Sequence, residues 1–309
     1  MTTSSSAVPE SLDSQRIAPA VPYATRPLYW SIRRELWENR SIYIAPLAAA
    51  GVGMLGFLIS MMGLLHGRHA QAAPRVELAM PYSHAAWVLI LTAFLVGVFY
   101  SLDALHGERR DRSILFWKSL PVSDLTTILA KASIPLVVLP LLVFAITVVL
   151  QLMMLMVNTA VLLMSGGSAA TLWAQLPLFQ MEVVLFYGLL VIVLWHAPLY
   201  AWLLLVSAWA RRATFLWAVL PPLAISVFER IAFRTSYFGS LLRDRLIGFA
   251  ADAFAFRTPE GVPVDPHFIP LTQLTPGKFL SSPGLWIGLA VAAALLAAAV
   301  RMRRYREPI

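Results

Sequence analysis

The 309-residue chain contains no cysteine. That absence excludes disulfides, thiolate nucleophiles and Cys-held zinc or iron–sulfur centres. Charge is scarce too: 13% of residues are Asp, Glu, Lys or Arg, against roughly 25% in a soluble domain. No GxxxxGK[ST] stretch occurs, so there is no Walker A loop to cradle a nucleoside triphosphate. There is no HExxH pattern either, and His196 has no second ligand at metal-binding spacing. A membrane-embedded enzyme therefore lacks its constellation of acid, base or metal ligands. A basic start followed by a short apolar run, the form of a secretory leader, is missing as well. Residues 1–26 are instead rich in Ser, Ala, Pro and Thr, and read as a disordered cytoplasmic tail.

What remains is apolar. Hydrophobic residues make up 59% of the chain and its mean hydropathy is +0.72, above the roughly 45–50% apolar content of soluble domains. Too few polar residues are left to coat a water-soluble surface of this length. A hydrocarbon core about 30 Å thick takes roughly 20 apolar helical residues to cross. Six stretches qualify: Ser41–Leu65, Ala85–Ala104, Ala132–Val157 with an extension toward Met164, Phe179–Ala208, Ala213–Phe233 and Pro283–Val300. The expected fold is an all-α integral membrane protein of six transmembrane helices.

Six spans place both termini on one side. If that side is the cytoplasm, the inner segments 1–40, 105–131, 210–212 and 301–309 hold 16 of the 24 Lys and Arg residues, and every inner segment is basic. The positive-inside rule then gives an N-in/C-in topology. The same count argues against nucleic acid as a partner, because the net charge of +8 follows topology rather than forming one stripe.

Three segments outside the spans carry information. Residues 27–40, PLYWSIRRELWENR, open on Pro27, a residue suited to a first helical position. Leu28, Ile32 and Leu36 recur every four residues, Trp30 and Trp37 lie seven apart, and Arg33, Arg34, Glu35 and Glu38 fill much of the rest. This reads as an amphipathic helix lying along the inner leaflet; the competing reading is a cytoplasmic helix packed on protein. In the second segment, the loop 105–131, four bulky apolar residues, Ile114, Leu115, Phe116 and Trp117, sit between charged flanks, the mark of a partner surface. Pro121 breaks the chain before Asp124, where Ser123 is placed to N-cap a new helix. The third segment, 234–282, holds an amphipathic stretch from Ser236 to Phe256 in which Leu241, Leu242, Leu246, Phe249 and Ala250 share a stripe. Too charged to span alone, it reads as a half-inserted or surface-lying helix pair before the last span, a possible outer re-entrant segment.

In residues 27–305 the chain resembles the permease subunits of type-2 ABC exporters. The likeness is carried by Gly107-Glu108-Arg109, the apolar run through Trp117, the Ser119-Leu120-Pro121-Val122-Ser123 turn and Lys131. The helix before the first span, the six spans and the segment before the last span complete the pattern. The resemblance implies a multi-pass protein of the bacterial inner membrane that dimerises, most simply as a homodimer, and works with two copies of a separate ATPase. ATP and Mg would sit on that partner and no cofactor on this chain. It further implies a coupling helix in the loop, with Ile114, Leu115, Phe116 and Trp117 as its docking face and Arg109, Arg110, Arg112 and Lys118 as polar contacts. The competing reading of the loop is a positive-inside segment whose aromatics sit in lipid headgroups.

Other patterns look like chemistry without its context. Gly51-Val52-Gly53-Met54-Leu55-Gly56 matches GxGxxG but lies within the first span, where small residues are expected to let helices approach. Ser165-Gly166-Gly167-Ser168 resembles an ABC signature sequence but falls in an outer loop. His66, His69 and His84 share one outer loop without carboxylate support at zinc-binding spacing. Glu182 and Glu229 lie near the outer ends of their spans, while Gln151 and His196 sit deeper. An ionisable residue inside a membrane is kept there for pairing or for transport. These four are candidates for a substrate or ion path, with Arg230 and Arg234 as alternative ion-pair partners for the two acids. The rival to the exporter reading is a secondary transporter or channel driven by an ion gradient, with no ATPase partner; it calls for ionisable residues deep in the spans and for internal repeats, whereas the acids here cluster near the span ends and no repeat is evident.

Overall fold

The computed structural model describes residues 26–66, 75–111, 122–256 and 269–305. The expected tail at 1–25, the centre of the loop at 112–121 and the residues 306–309 lie outside the described residues. Among those described the chain is helical, apart from one isolated bridge between Phe254 and Leu274.

Six helices are long and apolar enough to cross a membrane. Four bounds agree with the apolar runs: α2 (Ser41–His66), α7 (Leu178–Trp209), α8 (Thr214–Ala232) and α12 (Pro283–Tyr305). Two helices outrun them. α3 covers Arg75–Asp103, starting ten residues before the expected span. There Ala79 and Tyr82, both buried, pack with Phe57, Leu89, Val143 and Leu150, so tertiary contact extends the helix past the end of the apolar run. α5 covers Asp124–Met164. It includes a π-helical turn at Ile134–Val138, which contains Pro135 and is followed by Pro140, each of which removes a helical N–H donor.

Shorter helices fill the connections. α1 (Arg26–Glu38) precedes α2. α4 (His106–Arg110) follows α3 after a turn, and α6 (Ala169–Gln175) links α5 to α7. Between α8 and α12 the chain folds into α9 (Tyr237–Ile247) and α10 (Phe249–Ala253), then returns through α11 (Pro276–Ser281).

α7 is the central helix, 61% buried over its most apolar window, and it runs along α12 through Ala197, Ala201 and Ala292. Small side chains let the two backbones approach closely. Gly97 does the same for α3, since a Cβ there would lie 3.0 Å from the ring of Tyr200 on α7. α8 is the opposite case: 6% of its window is buried, and Phe215, Leu220, Phe228 and Ile231 all face outward. An apolar helix this uncovered finds its cover outside the chain, in lipid or another membrane helix. Among the described residues the GxGxxG glycines do not serve close packing. Gly51 and Gly56 meet no described neighbour, and Gly53 reaches Leu150 alone.

α1 packs on protein along one stripe. Ile32 and Leu36 pack against the cluster of Ile42, Tyr100, Ile134 and Leu139. Tyr29, Trp30 and Trp37 are exposed, with the Arg33 guanidinium 5.3 Å and 5.0 Å from the two indole rings. One stripe is bound to protein, and another presents the aromatic and cationic groups suited to an interface.

Candidate functional site

The loop 105–131 leaves α4 and re-enters the fold at α5, and both ends are fixed by buried charge. Glu35 of α1 is 2% exposed and its two carboxylate oxygens are shared among three helices. Lys131 Nζ of α5 donates to Oε1 at 2.8 Å, and Tyr100 Oη of α3 donates to Oε2 at 2.8 Å. Glu108 of α4, also buried, is paired with Lys131 Nζ at 3.1 Å and accepts from Arg34 Nη2 at 2.8 Å. Arg303, at the end of α12, lies 3.4 Å from the other oxygen of Glu108 and 3.3 Å from Asp124 Oδ1 at the start of α5. Arg34 also reaches Glu38 at 3.2 Å; burial raises the Glu38 carboxyl above its ordinary range, against the pull of Arg34. Arg34, Lys131 and Arg303 thus balance Glu35, Glu108 and Asp124 in one cluster joining α1, α3, α4, α5 and α12. Breaking such a buried set by removing one partner strands the rest, at a cost of about 3–5 kcal/mol.

Around the cluster the two ends of the loop are pinned as well. Ser207 of α7 is fully buried, and its Oγ accepts from the backbone N–H groups of Leu105 and His106, both at 2.9 Å. It satisfies two of the orphan donors that open α4. On the far side of the loop, Ser123 Oγ accepts from Thr126 N at 3.1 Å, the expected N-cap of the helix beginning at Asp124.

Of the docking residues read from the sequence, Arg112, Ile114, Leu115, Phe116, Trp117 and Lys118 lie outside the described residues. Arg109 and Arg110 are described and behave differently. Arg109 is 5% exposed and turned inward, donating to the carbonyls of Ala208 at 2.8 Å and Ala210 at 3.3 Å. It ties the loop to the end of α7. Arg110 is exposed, 3.1 Å from Asp111 and 4.0 Å from Asp103.

The candidate path residues are not brought together as one site. Glu229, at the end of α8, accepts from Thr235 Oγ1 at 2.8 Å and from the backbone N–H groups of Tyr237 at 2.7 Å and Phe238 at 2.8 Å. Its partners are the opening turn of α9 rather than Arg230 or Arg234. His196, near the middle of α7, has Nδ1 2.9 Å from Ile192 O and Nε2 3.1 Å from Leu246 O. Both contacts are carbonyls, and a neutral imidazole donates to one of them. Trp195 Nε1 donates to Asp244 O at 3.2 Å, so the two residues hold the end of α9 against α7. Arg245 completes the clasp. It donates to Gly284 O at 2.8 Å and Trp195 O at 3.3 Å, and stacks 4.6 Å from the Trp195 ring. Gln151 Nε2 donates to Tyr82 O at 3.2 Å, while its Oε1 is buried and has no partner among the described residues. Glu182 Oε2, near the start of α7, is likewise buried without a hydrogen-bond donor among the described residues. Among the described residues no group of His, Asp and Glu is arranged to hold a metal ion.

No family model, no curated protein and no solved structure matches this chain. The residues themselves carry any functional reading. Six apolar helices of spanning length make the chain a multi-pass membrane protein.

Sequence reasoning named Glu35, Glu108, Asp124 and Lys131 without assigning them to one cluster, and it gave Tyr100 and Arg303 no part. One signal was available. Glu35 falls three residues after Ile32, on the stripe that α1 turns toward the protein, and a carboxylate on such a stripe needs a buried cation.

Proposed function

We propose that this chain is the membrane-spanning permease subunit of an ATP-driven exporter, docking a separate ATPase subunit on the loop 105–131. The observation that carries the reading is the anchoring of that loop at both ends. Within it, Glu108, Asp124 and Lys131 are tied into a cluster that includes α1 and α12, and Arg109 is tied to the end of α7. A push from a docked protein does work on a membrane domain only if its point of contact is stiffly joined to several spans. A loop that merely follows the positive-inside rule needs charge but no such ties.

In this reading the charged end faces the cytoplasm, the termini are both inside, and α1 lies along the inner leaflet with Trp30 and Trp37 among headgroups. Ile114, Leu115, Phe116 and Trp117 seat in the ATPase, with Arg110, Arg112 and Lys118 as polar contacts, while Arg109 holds the loop to α7. ATP and Mg are bound by the partner. Two permease copies and two ATPase subunits form the complex in a bacterial inner membrane, and the uncovered apolar face of α8 meets lipid or the second copy.

The test is co-purification in mild detergent. The reading expects an ATPase to elute with the wild-type chain and to be lost from Ile114→Asp/Trp117→Asp. A monodisperse, ATPase-free protein whose transport follows a proton or sodium gradient would sink it. That second reading has one observation in its favour, the unpartnered buried oxygen of Glu182.

A further inference from the structure

The corner between α7 and α8 holds an open cavity of about 290 Å³, lined by Trp209, Ala210, Arg211 and Trp217. The two indoles meet edge to face with their centroids 4.7 Å apart. The corner lies at the charged end of the bundle, because Arg109 donates to the carbonyls of Ala208 and Ala210 there. Its own cations are unmatched. Arg211 and Arg212 are exposed, and among the described residues neither has a hydrogen-bond or ion-pair partner. Elsewhere at this end Arg34, Arg110 and Arg303 each meet a carboxylate. The adjoining stretch 112–121 contains no Asp or Glu that could do the same for this pair.

An exposed arginine in water needs no partner. These two stand at the head of a spanning helix that the chain leaves uncovered, where the surrounding molecules are lipids. One side of α8 is held to α7: Ala218 is buried in the cluster of Leu203 and Val206, and its carbonyl accepts from Trp202 Nε1 at 3.1 Å. Another side leads away from the cavity through Trp217, Leu220, Phe228 and Ile231, all exposed. Cation, indole and then aliphatic and aromatic surface follow one another in the order that headgroup, interface and chain follow one another in a phospholipid. Guanidinium groups suit phosphate oxygens in particular, through paired N–H donors. A zwitterionic headgroup brings its own cation and leaves the pair of arginines partly unmatched, whereas a net negative one does not. The cavity falls just short of the roughly 300–1,000 Å³ that encloses a whole drug-sized ligand, so it takes a headgroup and leaves the chains on α8. We infer that this corner binds an anionic phospholipid, its phosphate on Arg211 and Arg212 beside the two indoles and an acyl chain along Trp217, Leu220 and Phe228. The inference needs only that the chain spans a membrane, and holds with or without an ATPase partner.

The test uses the full-length protein in phosphatidylcholine nanodiscs. Two probes are compared, phosphatidylglycerol and phosphatidylcholine, each carrying the same diazirine-bearing acyl chain. Photolabelling of residues 209–228 should favour phosphatidylglycerol by roughly fivefold or more, the factor that one arginine near an anionic headgroup supplies. Arg211→Gln/Arg212→Gln should bring phosphatidylglycerol down to the level of phosphatidylcholine and leave the latter unchanged. Arg33→Gln/Arg40→Gln removes the same charge from exposed positions at the same end, and should leave the preference in place. Equal labelling by the two probes in the wild-type protein would overturn the proposal without recourse to any variant. So would an equal loss of preference in the two double variants, which would assign it to the charge of the whole surface. Labelling of α8 by neither probe, together with cross-links from α8 to α8, would give this face to a second copy of the chain and overturn it as well.

Discussion

The two ends of the helix bundle hold themselves together by different chemistry. At the charged end, side chains pair with side chains: Glu35 with Lys131, Glu108 with Arg34, Arg303 with Asp124. At the far end, beside the Asp252–Lys278 pair and the bond from Thr235 to Glu229, side chains pair mainly with backbone. Glu229 takes two N–H groups of α9, Trp195 and His196 meet carbonyls at its other end, and Arg245 donates to two more carbonyls. The difference follows from what each end must satisfy. The hairpin α9–α10 is built of short helices, and short helices have many unpaired terminal N–H and C=O groups per residue. Long spans meet at the charged end, their backbones already paired, and what must be fixed there is the position of one helix against another. Ion pairs between fixed side chains do that.

The comparison breaks most sharply at Lys131. Lys131→Met removes the cation shared by two buried carboxylates, with an expected loss of about 3–5 kcal/mol. Thermal unfolding in detergent, followed by monodispersity on gel filtration, measures it. A midpoint within a degree or two of wild type would show that the cluster is not a structural tie. The matching change at the far end is Arg245→Met. It removes two hydrogen bonds and the stacking on Trp195, for a smaller loss of about 1–3 kcal/mol. Its effect should be local: hydrogen exchange should rise in α9 and α10 and stay unchanged in α1 and α4. If both ends loosen together, they are not the independent units the contacts describe. The smallest effect has the opposite sign. Ala213, between α7 and α8, is held at φ 51°, a left-handed conformation that costs a non-glycine residue roughly 1–2 kcal/mol. Ala213→Gly should raise the unfolding midpoint slightly, by about 1 kcal/mol or less once the added freedom of the unfolded chain is counted. A fall would mean that the alanine methyl makes a contact worth more than the strain.

The sequence made the spans legible because apolar length is a local property, and α2, α7, α8 and α12 begin and end within a few residues of the apolar runs. It failed at the start of α3. There Arg75, Glu77 and Pro81 interrupt the apolar run, and packing of Ala79 and Tyr82 on neighbouring helices keeps the chain helical. Among the polar residues, Ser123 was read correctly because a cap acts on residues three away. Glu229 was not, because its expected cationic partners were chosen by nearness in sequence, whereas the donors it meets are backbone groups that any residue would supply.

By itself, then, the sequence determined that this chain lives in a membrane, where its six spanning helices run, and that a basic, aromatic loop lies between the second and third. Each of these depends on composition within about 20 consecutive residues. Which charges meet was decided by the tertiary structure alone. Arg34 and Glu108 are 74 residues apart and Lys131 and Glu35 are 96 apart. No local pattern encodes such a pairing, because it exists only once the helices that carry the charges have packed.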